Sequence, residues 1–272
     1  VIFVIDISGS MGGRKLQQTK DAMTTMLDKM SEKNIDNFNI ILFDGSIDVW
    51  GRKRCNQNVS EDLNEYDYYS MNDYDNDGPW CYDNDKISYS IPNNNGDVGP
   101  AYDFVLDLQV RGSTNINDAL IEALNIAKQV KENGEIDTKT QQMIVFLTDG
   151  QPSAGETYGP KIKENVKKAN AETNIPIYGL ALGDGADFEL IKDISDESNG
   201  FTERIYESGN SFEQLEDFYN KISDPKLRDV TFEYIVNGKR ILPENLTTTA
   251  INQVFGSNEY SIAGKFPEDE DI

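Results

Sequence analysis

A chain of 272 residues, 38% hydrophobic and 27% charged, has room for one large α/β domain and a smaller appendage. Its 48 acidic residues outnumber 25 basic ones, and the formal charge of −23 argues against nucleic acid and anionic membrane surfaces, whose phosphates it would repel. Histidine is absent, which removes the usual general base, the nucleophiles that depend on it and the commonest zinc ligand.

The first segment, Val1-Ile2-Phe3-Val4-Ile5-Asp6-Ile7-Ser8-Gly9-Ser10, is an apolar run that ends in an acid and two hydroxyls in a glycine-containing turn. Such a run predicts a buried parallel strand whose polar residues fall at its carboxyl end, where open α/β sheets bind ligands. Ser and Gly in that position also suit a simple helix cap. Because Val1 already lies inside a strand, with no initiator methionine, the chain reads as an excerpt of a longer polypeptide. Gly9 to Lys15 has the look of a phosphate loop but lacks the Gly-Lys-Ser/Thr ending. Lys15 to Met30 follows as an amphipathic helix with Leu16, Met23, Met26, Leu27 and Met30 facing the core. Asn37 to Phe43 is the next strand, and Asp44-Gly45 turns it into an edge strand over Ser46 to Trp50.

Residues 52–100 form an insertion rich in Asp, Asn, Tyr and Gly without lasting periodicity. Cys55 and Cys81 flank it and fit a disulfide closing the segment, the alternative being two reduced thiols. Inside it, Asp73-Tyr74-Asp75-Asn76-Asp77-Gly78 matches the start of a calcium loop, with Asp83 or Asp85 able to contribute. Asn84 stands where that loop needs its glutamate, so a merely acidic loop is the competing reading. Asn58 and Asn245 open glycosylation sequons, a pattern that Asn-rich chains also contain by chance.

Beyond the insertion, helices are predicted over Asn117 to Lys131, Lys161 to Glu172, Asp187 to Asp196 and Phe212 to Ile222. Strands are predicted over Gln142 to Thr148, Ile175 to Leu182 and Phe201 to Tyr206. This alternation predicts a doubly wound, mostly parallel sheet covered on both faces over residues 1–224. Pro225 stops the last helix, and residues 225–272 read as a partial β-sandwich with strands at Leu227 to Val236, Arg240 to Leu242, Thr247 to Phe255 and Glu259 to Phe266.

Two further oxygen-rich segments, Gly112-Ser113-Thr114-Asn115 and Thr148-Asp149-Gly150, join the first. Carboxylates and hydroxyls without imidazole or thiolate suit a hard divalent cation. Asp6-Ile7-Ser8-Gly9-Ser10 resembles the Asp-x-Ser-x-Ser motif of von Willebrand factor A domains, with Thr114 and Asp149 at that family's remaining metal positions. The similarity covers most of residues 1–51 and 101–266 and is greatest to the A domain of inter-α-trypsin inhibitor heavy chains. The resemblance implies a Rossmann-like fold and a metal-ion-dependent adhesion site. It makes Ser8, Ser10 and Thr114 direct ligands of Mg²⁺ (or Mn²⁺ or Ca²⁺), while Asp6 and Asp149 act through water or alternate as ligands. It further implies an extracellular binding module, not an enzyme, whose metal takes a carboxylate from a protein ligand or a matrix or proteoglycan complex. The alternative is a structural assembly module of a filament, coat or complex that self-associates, with a stabilising or vestigial metal site.

Overall fold

In the computed structural model the apolar runs are strands and the periodic segments helices. Residues 1–33, 37–50, 53–54, 80–81, 91–92, 98–137, 139–206, 211–222, 225–236, 238–241, 244–247, 250–255 and 261–265 are described. In chain order the elements are β1 (Ile2–Asp6), α1 (Arg14–Lys33), β2 (Asn37–Phe43), β3 (Ile47–Val49), β4 (Lys53–Arg54), β5 (Trp80–Cys81), β6 (Ile91–Pro92) and α2 (Gly99–Leu106). There follow α3 (Ile116–Glu132), β7 (Ile144–Thr148), α4 (Gly159–Asn170), β8 (Ile177–Leu182), α5 (Phe188–Glu197), β9 (Thr202–Ile205) and α6 (Ser211–Ile222). The last strands are β10 (Pro225–Thr231), β11 (Tyr234–Val236), β12 (Lys239–Ile241) and β13 (Ala250–Phe255).

The central sheet runs β3-β2-β1-β7-β8-β9, parallel except for β3 and for β6, which pairs with β2 at the other end. Every residue of β1, β7 and β8 is buried, as expected of strands covered on both faces. Ile2, Val4, Phe43, Ile144 and Phe146 join a core with Leu120, Ala123 and Leu124 of α3 and with residues of α4 and α5. Phe3, Ile5 and Leu147, pointing the other way along their strands, are equally buried. On α1 the predicted inner stripe is buried at Met23, Met26, Leu27 and Met30, while Leu16 is half-buried.

This order fixes where a ligand site can lie. After β1 the chain moves to β2 on one side, then returns through α3 to β7 on the other side of β1. The crevice outside the carboxyl ends of β1 and β7 is therefore the topological switch point, and both oxygen-rich strand ends open onto it.

Several expectations are corrected. The helix read over Lys15 to Met30 extends from Arg14 to Lys33, since Ser31-Glu32-Lys33 contains no breaker. The helix α2 was not anticipated, because its eight residues carry too little period beside the irregular insertion. Its signals are Pro100 at the start and buried Ala101, Phe104 and Val105, with Phe104 stacked on Trp50 at 5.6 Å. The segment Leu227 to Val236 is two strands, because β10 pairs with β13 whereas β11 pairs with β12. Among its described residues, Glu259 to Phe266 makes only an isolated bridge between Lys265 and Glu244. Gly264 there marks a close approach, since a Cβ would stand 2.6 Å from Leu246 Cδ2.

By compactness the chain divides into Val1–Glu216 and Asp217–Ile272. The second unit contains the β10–β13 and β11–β12 pairs, the latter closed by a turn with Gly238 at φ +81. Among the described residues no helix is long and apolar enough to cross a membrane.

Candidate metal centre

Asp6 closes β1 and is fully buried. Its Oδ1 accepts from the Ser8 backbone N–H at 2.8 Å, and its Oδ2 accepts from Thr148 Oγ1 at 2.5 Å, so one carboxylate ties the ends of β1 and β7 together. Burial pushes this carboxyl up to about 6, against the opposing pull of its hydrogen bonds with Ser8 and Thr148, and the Asp149 charge adds to the rise. The next residues form a short turn, Gly9–Met11, with Ser8 at its N-cap position. The Ser8 side chain makes no capping bond there. Instead Ser8 Oγ and Ser10 Oγ share a hydrogen bond at 3.1 Å, and Ser10 Oγ donates to Asp149 Oδ1 at 2.7 Å. The capping reading thus does not account for the two serines.

Asp149, just past β7, is buried, and its second oxygen accepts from Lys15 Nζ at 2.6 Å. Residues 139 positions apart in the chain thus meet because β1 and β7 are neighbours in parallel register.

The third segment is delivered by backbone bonds. Arg111 N–H donates to the Ile7 carbonyl at 2.7 Å, Gly9 N–H to the Gly112 carbonyl at 3.1 Å, and Asn115 N–H to the Asp44 carbonyl at 2.8 Å. Gly112 has φ +64, and a Cβ there would lie 2.4 Å from Asp44 Oδ2, so only glycine fits. The Arg111 guanidinium reaches Asp44 at 3.3 Å and also pairs with Asp48, pinning this loop to the β2–β3 hairpin. Thr114 is buried, its N–H donates to Ser153 Oγ at 3.0 Å, and its carbonyl accepts from Ser153 and Ala154. A Cβ placed on Gly150 would stand 3.2 Å from Thr114 Oγ1 and 3.5 Å from Ser10 Oγ, which puts both hydroxyls beside one small gap.

All five expected positions, Asp6, Ser8, Ser10, Thr114 and Asp149, therefore gather at the switch point. Lys15, Asp44, Arg111 and Ser153 join the site without being expected there, and Thr148, within the oxygen-rich segment that ends β7, adds its bond to Asp6. Lys15 carried a weak signal as the polar residue closing the glycine turn, whereas the Arg111 and Ser153 contacts depend on long-range packing. Asn115 caps α3, its Oδ1 accepting from Asp118 N–H at 3.3 Å. Among the described residues no group of three or more carboxylates, thiolates or imidazoles is arranged to hold a metal ion, so a cation here would depend on the hydroxyls.

The other expected sites are only partly described. Asp73, Asp75, Asp77, Asp83, Asp85, Asn58 and Cys55 lie outside the described residues. Cys81 sits in β5 opposite Lys53. Asn245 is exposed, in a bend with φ +52.

Comparison with known proteins identifies the family of the chain. Residues 93–221 match the family model of the von Willebrand factor type A domain, and residues 1–67 match a second model of the same description. The chain belongs to the von Willebrand factor type A family. It is 31% identical over 270 residues to inter-alpha-trypsin inhibitor heavy chain H3 of Bos taurus, covering 99% of this chain and 26% of that protein. It is 32% identical over 266 residues to heavy chain H2 of Homo sapiens, covering 98% of this chain and 24% of that protein. The chain thus spans about a quarter of the length of these relatives. Among solved structures, a von Willebrand factor type A protein from Catenulispora acidiphila aligns with a TM-score of 0.56 at 15% identity, over 84% of this chain and 43% of that one. That likeness concerns the fold alone.

Proposed function

We propose that this domain is a non-catalytic protein-binding module of an extracellular or matrix-associated protein, and that Mg²⁺ held at the switch point completes its coordination with a carboxylate from the partner. The observation that carries this reading is the convergence of three hydroxyls and two carboxylates from three separate loops. The donor set suits the ion: Mg²⁺ takes oxygen ligands in an octahedron, where neighbouring oxygens stand about 2.9 Å apart. Ser8 Oγ and Ser10 Oγ, at 3.1 Å, match two adjacent positions. Ser8, Ser10 and Thr114 would contact the ion, and Asp6 and Asp149 would orient its waters. Neutral hydroxyls leave a bound cation underneutralised and hence open to an anionic partner ligand, which is the chemistry it supplies. Asn245, exposed in its bend, is proposed to carry a glycan, and Cys55 and Cys81 to form a disulfide.

The test is capture of matrix proteins from an extracellular extract by the immobilised domain. A partner retained in Mg²⁺ and lost in EDTA or with Thr114→Ala is the expected result. Equal retention in all three would instead assign binding to another surface and leave the metal, if bound, a structural part.

A further inference from the structure

Asp149 has a fully buried side chain, yet both of its oxygens are engaged: Oδ1 by the Ser10 hydroxyl and Oδ2 by the Lys15 ammonium. A carboxylate taken out of water and left without a counter-charge is strongly destabilising. Lys15 supplies that charge from the first turn of α1, which contains no acidic residue of its own. The arrangement is unlike the described lysine pairs that lie along single helices. Lys161 with Glu164, Lys168 with Glu164 and Lys192 with Asp196 are exposed pairs along single helices, of a kind that contributes little to stability. Lys15 alone among these reaches from a helix to a buried acid at the carboxyl end of the sheet.

The same place is where the cation is proposed to sit. A divalent ion beside Ser8, Ser10 and Asp149 would stand close to the ammonium, and two positive charges at short range in a partly dry site repel strongly. Lysine, unlike arginine, carries its charge as a point on a flexible four-carbon stem and can leave without breaking a planar fork. The Lys15 side chain is 19% exposed, so a route to water is open to it.

We infer that Lys15 is a tethered counter-ion that occupies the centre in the metal-free state and is displaced when the divalent cation enters. Metal uptake at this site is then an exchange of ammonium for Mg²⁺. Two consequences follow from the exchange. The metal-free domain keeps its fold because Asp149 is never left unpaired. Mg²⁺ affinity is lower than the oxygen ligands alone would give, because entry must break an existing ion pair. This inference rests on the Mg²⁺ reading above.

The experiment is calorimetric titration of the purified domain with MgCl₂, together with thermal unfolding in EDTA and in saturating Mg²⁺. Three proteins are compared: the parent, Lys15→Met, and Lys161→Met as a control with the same change in net charge. Lys15→Met is expected to bind Mg²⁺ about tenfold more tightly, while its Tm in EDTA falls by about 5 °C as Asp149 loses its partner. Saturating Mg²⁺ closes that gap, and Lys161→Met moves neither quantity. Should Lys15→Met not be recovered folded, Lys15→Gln, which retains a hydrogen-bond donor without the charge, makes the same comparison. Parent-like or weaker Mg²⁺ binding by the Lys15 variants, with the parent binding normally, overturns the exchange and leaves the metal reading intact. Absence of Mg²⁺ binding in the parent and in the Lys15 variants alike overturns the metal reading and the exchange with it.

Discussion

Asp149→Ala is expected to lower Mg²⁺ affinity by about 100-fold, since it would remove the charged group proposed to orient the metal's waters and would free Ser10, a proposed direct ligand. Asp149 Oδ1 holds the Ser10 hydroxyl at 2.7 Å, so its loss releases one serine from the geometry it shares with Ser8. The remaining carboxylate, Asp6, is already committed to Ser8 N–H and Thr148 Oγ1 and cannot take over both roles. Asp184→Ala is the matched control: it removes one acidic charge from a neighbouring loop where Asp184 is 95% exposed, and should leave the affinity within about twofold. Calorimetric titration of the two variants separates loss of a ligand network from loss of general negative field. Comparable losses in both would show that the attraction is diffuse and that Asp149 has no special place.

Phe146→Ala is expected to destabilise the first unit by about 3–5 kcal/mol, the usual range for a large aromatic deleted from a packed core. Phe146 is in the middle of β7, 1% exposed, and stacked on Phe43 of β2 with ring centroids 5.6 Å apart. The two rings belong to the cluster that seats α3, the helix that follows Thr114 and Asn115. A cavity there has rigid strands on one side, which limits collapse and keeps the cost near the upper end of the range. Urea unfolding followed by circular dichroism would read the change as a lower midpoint at constant slope. Tyr158→Ala, at a side chain 67% exposed, should stay within about 0.5 kcal/mol of the parent.

The sheet was legible because its central parallel strands are buried on both faces. Val1 to Ile5, Ile40 to Phe43, Ile144 to Leu147 and Ile177 to Leu182 are continuous apolar runs, and outside the insertion the segments between them carry helical period. The Asp44-Gly45 dipeptide announced the antiparallel edge strand, and β3 indeed pairs with β2 in that sense. Short elements were less legible. The helix α2 offers one apolar turn and a half beside an irregular segment, and β10 takes the distant β13 as its partner, a choice that no local pattern specifies.

The candidate site shows the same division. Its three oxygen-rich segments were readable because each stands at the end of an apolar run or just before a helix, and the family resemblance singled out five residues within them. What brings them together was not. Arg111 between Asp44 and Asp48, Ser153 on Thr114 and Lys15 on Asp149 are contacts across 39 to 134 positions of chain. They follow from β1 lying between β2 and β7, an order that depends on crossover handedness rather than on any one segment.

The most direct measurement is anomalous diffraction from crystals of the domain soaked in Mn²⁺, which substitutes for Mg²⁺ at oxygen sites. A single strong peak bonded to Ser8 Oγ, Ser10 Oγ and Thr114 Oγ1, with the Lys15 ammonium moved off Asp149, is the predicted result. A peak elsewhere, or no peak while Lys15 remains on Asp149, would contradict it and make the ammonium the permanent occupant of the switch point.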